Sequence, residues 1–455
     1  MFSNINFKLI KSKTKSINYF RDLLIISGII GIAISYSSLY IFHISLALTI
    51  VYLIYNILQG KLSLKELFSD YPKFSLFLIF FTLIWFVLLI IFSENFKYSF
   101  YHLIYIGIGG SIMLIIPAFI NNFKDLKNTF VILGLIVVID LFIGFGESLG
   151  LFRWFISRLS SLVQYFGYNN ELNIILSQSF SQEYVKTMPT GFQYNPNDFA
   201  VIAGMTFPFF LLLRKKLISI IGTTMILWLC VAAGAKIVFL SCCFMAIISG
   251  FFSISFKQIF NSIFSILFII FIITNGFGML KGNYIKINET QAFFYKLVGL
   301  TPPSYNLQLK EAENSGSIRK ELILFGVQKS FENNLWGYGG GQSRHQMEKV
   351  GGVTNDKICS LHNFWIELLM EGGIAYLTAF IAWYILILIK LFRIFRLKRN
   401  SIEGYFSSAL LISFCGFFIS SIAPSSVIYF IPMYIMFAIS ISLIKLCENE
   451  STYSI

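Results

Sequence analysis

A histidine stands where a long polar stretch gives way to an apolar one, in Leu361-His362-Asn363-Phe364-Trp365-Ile366-Glu367-Leu368-Leu369-Met370-Glu371-Gly372-Gly373-Ile374. An imidazole changes protonation near neutral pH and can take a proton from a hydroxyl, although a histidine at such a border can equally cap a helix. Asn363 is a supporting polar group beside it, and Trp365 fits an interfacial anchor. Upstream, Ser315-Gly316-Ser317-Ile318-Arg319-Lys320-Glu321 opens a stretch with Ile318, Leu322, Phe325 and Val327 at helical spacing. That pattern predicts an amphipathic surface helix with Arg319 near its start. A guanidinium there can grip a phosphate through two parallel hydrogen bonds, or can be an ordinary solvated charge.

Other candidates are more scattered. Lys236, in Ala233-Gly234-Ala235-Lys236-Ile237, lies between two apolar segments, where a cation either snorkels to the surface or binds an anionic group. In Tyr194-Asn195-Pro196-Asn197-Asp198, Asn195-Pro196 reads as a turn and Asn197 or Asp198 as a helix N-cap, with Asn197 a second supporting polar group. Asp140 and Glu147 are acids within an apolar stretch, where they are either functional or hydrogen-bonded inside a crowded bundle. The run Gly337-Tyr338-Gly339-Gly340-Gly341 is followed by no Gly-Lys-Ser/Thr and is not a dinucleotide fingerprint, so it reads as a tight turn. Cys230, Cys242, Cys243, Cys359, Cys415 and Cys447 show no ligand spacing and read as packing residues; no metal or cofactor is expected.

The elements that must position these residues are membrane helices. Hydrophobic residues are 56% of the chain and charged residues 13%, against about 25% charged in soluble proteins. The mean hydropathy is +0.74. Apolar segments near 22–40, 41–58, 74–92, 99–120, 129–149, 195–213, 217–235, 237–256, 259–280, 364–389, 405–423 and 425–446 give an all-α polytopic protein of about twelve spans. Gly109-Gly110, Pro117, Pro208 and Pro432 fall inside them, as membrane bundles tolerate. The first segment is as long as a span and lacks a small-residue cleavage site, so it is expected to remain in the chain. The whole of 1–455 reads as a single transmembrane domain.

Basic residues alternate across these spans. Lys8, Lys11, Lys13, Lys15, Arg21, Lys61, Lys65, Lys73, Lys124, Lys127, Arg214-Lys215-Lys216, Lys257, the 390–399 cluster and Lys445 share one side, which the positive-inside rule makes cytoplasmic together with both termini. The net charge of +13 is thus a topology signal and an attraction to anionic membrane lipids, with no nucleic-acid partner implied. Residues 150–194 and 281–361 are long connections on the outer side, and long loops cross largely regardless of charge. Chemistry is expected there.

The ordered set over 190–375 resembles the O-antigen ligase and O-antigen polymerase superfamily, whose pattern teichuronic-acid and capsule polymerases share. It comprises Asn-Pro-Asn before one helix, a small-residue-plus-cation step, Arg at the start of a loop helix, Gly-x-Gly, then His-Asn and the following glutamates and glycine. The resemblance implies a GT-C-type membrane glycosyltransferase. It would transfer a glycan from an undecaprenyl-diphosphate carrier to a glycan or lipid-glycan acceptor at the outer face of the cytoplasmic (inner) membrane of a bacterium, without metal or nucleotide sugar. Other surface-polysaccharide assembly proteins would be its partners. By the resemblance His362 matches the catalytic histidine and Arg319 an arginine that holds the donor diphosphate; Lys236 falls where the family often has Ser-Arg, keeping charge but losing the guanidinium fork. A multi-helix transporter or flippase of lipid-linked glycan, using Asp140 and Glu147, is the alternative reading.

Overall fold

The computed structural model describes residues 17–68, 70–168, 187–252, 264, 315–353 and 358–452. Within them the chain is mostly helical, with almost no strand. Helix α1 (17–30) leads through a short hairpin, β1 (Ser35–Tyr36) against β2 (Leu39–Tyr40), into α2 (Ile41–Leu58). There follow α3 (Leu64–Phe68), α4 (Lys73–Ile90), α5 (Phe96–Phe119), α6 (Phe123–Ser148), α7 (Pro196–Leu211), α8 (Lys216–Ala232) and α9 (Lys236–Phe252). The C-terminal part holds α10 (Ser315–Glu332), α11 (Gln342–Lys349), α12 (Phe364–Leu397), α13 (Ile402–Ser420) and α14 (Ile431–Thr452).

Seven of these, α2, α4, α5, α6, α12, α13 and α14, are long and apolar enough to cross a membrane. Four of the twelve expected spans are shorter helices: α1, α7, α8 and α9. The span expected at 259–280 lies outside the described residues, as do Lys257, the lysines before Arg21 and residues 281–314 of the long outer loop. The first expected span, 22–40, is corrected: its helix stops at residue 30 and the remainder turns through the 35–40 hairpin.

The packing separates an inner layer from an outer one. Helices α7, α13 and α14 are buried over most of their surface, whereas α2 and α4 turn Leu48, Val51, Ile54, Phe77, Phe80 and Ile84 outward. Exposed apolar surface on that scale needs a hydrocarbon solvent, and helices satisfy their own backbone within it. Polar side chains bind the layers. The Ser413 hydroxyl donates to Met205 O at 2.6 Å, Tyr405 to Phe209 O at 2.6 Å, and Ser241 to Gly416 O at 2.7 Å. Pro117 has no N–H, which leaves the carbonyl of Met113 without its helical partner; the Tyr71 hydroxyl donates to it instead.

The connections are joined to one another at the two ends of the bundle. At one end Ser37 N donates to Phe166 O at 2.7 Å, Asn95 N to Gln342 Oε1 at 3.1 Å, and the Ser360 hydroxyl to Ser425 O at 2.5 Å. These bonds join the loops that the sequence placed outside. At the opposite end Arg21 faces Asp125 at 3.8 Å, Lys390 pairs with Glu448, and Lys445 donates to Pro117 O at 2.6 Å.

Candidate functional site

The amphipathic helix expected at 318–331 is α10. Leu322 is fully buried in a small second core with Met347, Leu361 and Met370, and Ile318, Phe325 and Cys359 pack against it. This core joins α10, which carries Arg319, to the start of α12, which His362 precedes.

Helix α12 is not one rod. Gly373 has φ 75° and ψ 179°, which ends a first arm, 364–372, before the long helix resumes. The arm's last carbonyls are capped by the glycine-rich segment: Tyr338 N donates to Met370 O and Gly339 N to Glu371 O, both at 2.9 Å. Ile374 N returns a bond to Leu335 O at 2.9 Å, and the Trp85 indole donates to Gly372 O at 2.8 Å. The glycine run is therefore more than a turn; it is the backbone partner of a helix break. Side chains complete the seat. The Ser343 hydroxyl donates to Glu371 Oε1 at 2.5 Å, and His102 Nε2 lies 3.2 Å from Glu371 Oε2.

His362 sits immediately before this arm in the left-handed region, with φ 47°. It is not the cap. Asn363 is, accepting from Trp365 N at 3.1 Å and Ile366 N at 3.2 Å, so the side chain expected to support chemistry is engaged in starting the helix. The imidazole of His362 is instead held by the main-chain carbonyls of Ala423 and Pro424, in the connection between α13 and α14. Burial and the positive charges of Arg319 and Arg158 bring its pKa down to about 4, so at neutral pH it is an unprotonated base. Arg319 is half-buried, and its own pKa is lowered by that burial.

Arg158 is the residue that sequence reading missed. It lies in the connection after α6, where its main-chain N–H donates to Tyr194 O at 3.2 Å, just before α7. A signal was present, since Arg153 and Arg158 are the only charged residues between 150 and 168. Arg153 is engaged elsewhere, donating to Met188 O at 2.5 Å and pairing with Glu147 at 3.3 Å.

The remaining expected site residues are placed as follows. Lys236 begins α9 at the same end of the bundle, but the arginines that act on His362 do so from other segments. Asn197 is half-buried in the first turn of α7, at that end too; the cap there is Asn195, which accepts from Asn197 N at 3.0 Å and so corrects the expected capping residue. Asp140 and Glu147 follow the structural reading. Asp140 Oδ1 accepts from Phe192 N at 2.6 Å, while Glu147 accepts from Thr190 N at 2.6 Å, Gly191 N at 2.8 Å and Trp154 N at 2.9 Å. These two carboxylates clamp the backbone that leads into α7.

The arrangement is thus a neutral imidazole within electrostatic reach of two guanidinium groups at one end of a bundle of apolar helices. No family model matches the chain. Over 252 residues it is 22% identical to the teichuronic acid biosynthesis protein TuaE of Bacillus subtilis (strain 168), a stretch that covers 54% of this chain and 49% of TuaE. The chain resembles a protein of teichuronic acid biosynthesis. The match spans about half of each protein and agrees with the likeness to surface-polysaccharide ligases and polymerases drawn from the residues of 190–375.

Proposed function

We propose that the protein is a membrane glycosyltransferase that polymerises or ligates a surface glycan from an undecaprenyl-diphosphate-linked donor, on the outer face of the bacterial cytoplasmic membrane. The observation that carries this reading is a buried, unprotonated His362 that feels the positive charges of Arg319 and Arg158, which come from two other segments. Two guanidinium groups suit a diphosphate, which is both the handle of such a donor and its leaving group. The acceptor hydroxyl attacks the anomeric carbon as its proton passes to His362. The bond from that carbon to the diphosphate breaks, and the lipid diphosphate leaves with the electron pair, its developing charge stabilised by the arginines. Attack opposite the leaving group inverts the configuration.

In this reading the cations also set the strength of the base. Burial, and after it the charges of Arg319 and Arg158, bring His362 to a pKa of about 4. A bound diphosphate would cancel part of their charge, raising the proton affinity of His362 when a proton must be accepted. The acid limb of kcat, which reports the complex, is therefore expected at higher pH than that of kcat/KM, which reports the free enzyme. Arg319→Ala removes a positive charge and is expected to move the kcat/KM limb upward from about 4. Initial-rate pH profiles on the reconstituted protein check this; coincident limbs, or a downward move in Arg319→Ala, would contradict the proposed role of the cations.

The same variants test the donor site. Arg319→Ala is expected to weaken use of the lipid-diphosphate donor by about 10- to 100-fold, the loss of one charge-assisted contact of about 1.5–3 kcal/mol. Arg319→Lys should recover only part, since an ammonium cannot form the fork. An unchanged donor KM in Arg319→Ala would remove the arginine from the site.

The orientation in this reading is the one expected from the basic residues. A cysteine replacing His345 on α11 is expected to react with an impermeant reagent in intact cells, and one replacing Leu397 at the end of α12 is expected to be protected. The reverse labelling would put the proposed site in the cytoplasm.

A further inference from the structure

Glu367 lies one turn past His362 on the arm 364–372, and its side chain is 6% exposed. A buried carboxylate in an apolar bundle must be hydrogen-bonded to persist, and Glu367 is bonded to a particular place. Its Oε1 accepts from the Ser426 hydroxyl at 2.8 Å, and the main chain of Val427 supplies a second hydrogen bond. Ser426 Oγ in turn accepts from Ile428 N at 3.3 Å. The segment gripped in this way is the one whose Ala423 and Pro424 carbonyls hold the imidazole of His362. From the other direction the Ser360 hydroxyl donates to Ser425 O at 2.5 Å, two residues before His362. The 421–430 connection is therefore tied to the chain on both sides of His362, and His362 itself stands in a left-handed conformation that its surroundings must maintain.

We infer that Glu367, acting through Ser426 and the 421–430 connection, is a positioning residue that fixes the orientation of the His362 imidazole toward the acceptor. It touches neither substrate nor the reacting atoms. Its effect is to keep the two carbonyls where they accept from the ring N–H and so set the tautomer and the direction of the other nitrogen. This rests on His362 being the base of the proposed reaction. Glu371, four residues on, is tied to α11 and α5 instead and serves the helix break, so the two buried acids of the arm have separate roles.

The test uses the full-length protein in nanodiscs with a lipid-diphosphate glycan donor. Misplacing a catalytic group by about 1 Å costs about 10²-fold, so Glu367→Ala and Ser426→Ala are expected to lower kcat by about 10- to 100-fold while leaving the donor KM unchanged. Glu367→Gln, which keeps an oxygen acceptor for Ser426, is expected to recover most of the rate. The double variant Glu367→Ala with Ser426→Ala should be no slower than the worse single one, since both break one linkage. A merely structural role predicts a loss that tracks the amount of folded protein, with full kcat per folded molecule, and that result overturns the inference. If Glu367→Ala fails to fold, Ser426→Ala carries the test alone, and an unchanged kcat in it is equally fatal. His362→Asn separates the two claims: full kcat in Glu367→Ala beside an inactive His362→Asn sinks the positioning role only. Turnover in His362→Asn removes the base and the positioning role with it.

Discussion

His362→Asn is expected to keep the fold and lose turnover by about 10²- to 10⁴-fold, the usual contribution of a positioned general base. Asparagine is the cleaner substitution because position 362 has φ 47°, a region that asparagine tolerates and alanine does not. Capping is not at stake, since Asn363 supplies it. Cells carrying the variant should accumulate lipid-linked oligosaccharide and lack the finished glycan at normal protein levels. Normal polymer from the purified variant would end the proposed role. His345 is the only histidine among the described residues of the 281–361 connection. It is on α11, 3.6 Å from Glu94, so His345→Asn is the matched control and is expected to retain activity.

Gly373→Ala is expected to be among the most destabilising single changes in the chain. The residue has φ 75°, and a Cβ there would come 2.6 Å from Leu335 O and closer still to Trp336 O. Both neighbours are backbone and cannot swing aside. Left-handed strain costs about 1–2 kcal/mol and overpacking about 1–3 kcal/mol, so a combined loss of about 2–5 kcal/mol follows. The opposing glycine gives an independent version of the same experiment: a Cβ on Gly337 would fall 2.6 Å from the carbonyl carbon of Gly372. Gly337→Ala should therefore behave alike, whereas Gly134→Ala, on α6 with open space at its Cβ, should be neutral. Thermal unfolding in detergent distinguishes these cases. Native stability in both Gly373→Ala and Gly337→Ala would show that the break and the glycine segment are not locked together.

How much of this was legible in the sequence differs by element. Composition, apolar run length and the alternation of lysine and arginine fix the solvent of the helices and the sorting of their ends. These are properties of local sequence, because each span must be apolar by itself and each basic loop resists translocation. The helix at 318–331 and the polar-to-apolar border at His362 were equally local. The capping assignments came out one residue or two away, Asn195 for Asn197 and Asn363 for His362, since a cap is decided by which side chain reaches the free N–H groups. Tertiary structure decided the rest. Nothing local shows that Arg158, about two hundred residues before His362, carries its charge to that imidazole. Nor does the run of glycines announce that it caps a broken helix; backbone hydrogen bonding between distant segments leaves no pattern in side-chain type beyond the glycines that permit the approach. Asp140 and Glu147 show the same limit from the other side. An acid in an apolar helix looks the same in sequence whether it moves protons or clamps a backbone, and only the amides of Thr190, Gly191 and Phe192, delivered by a loop some forty to fifty residues away, decide in favour of the clamp.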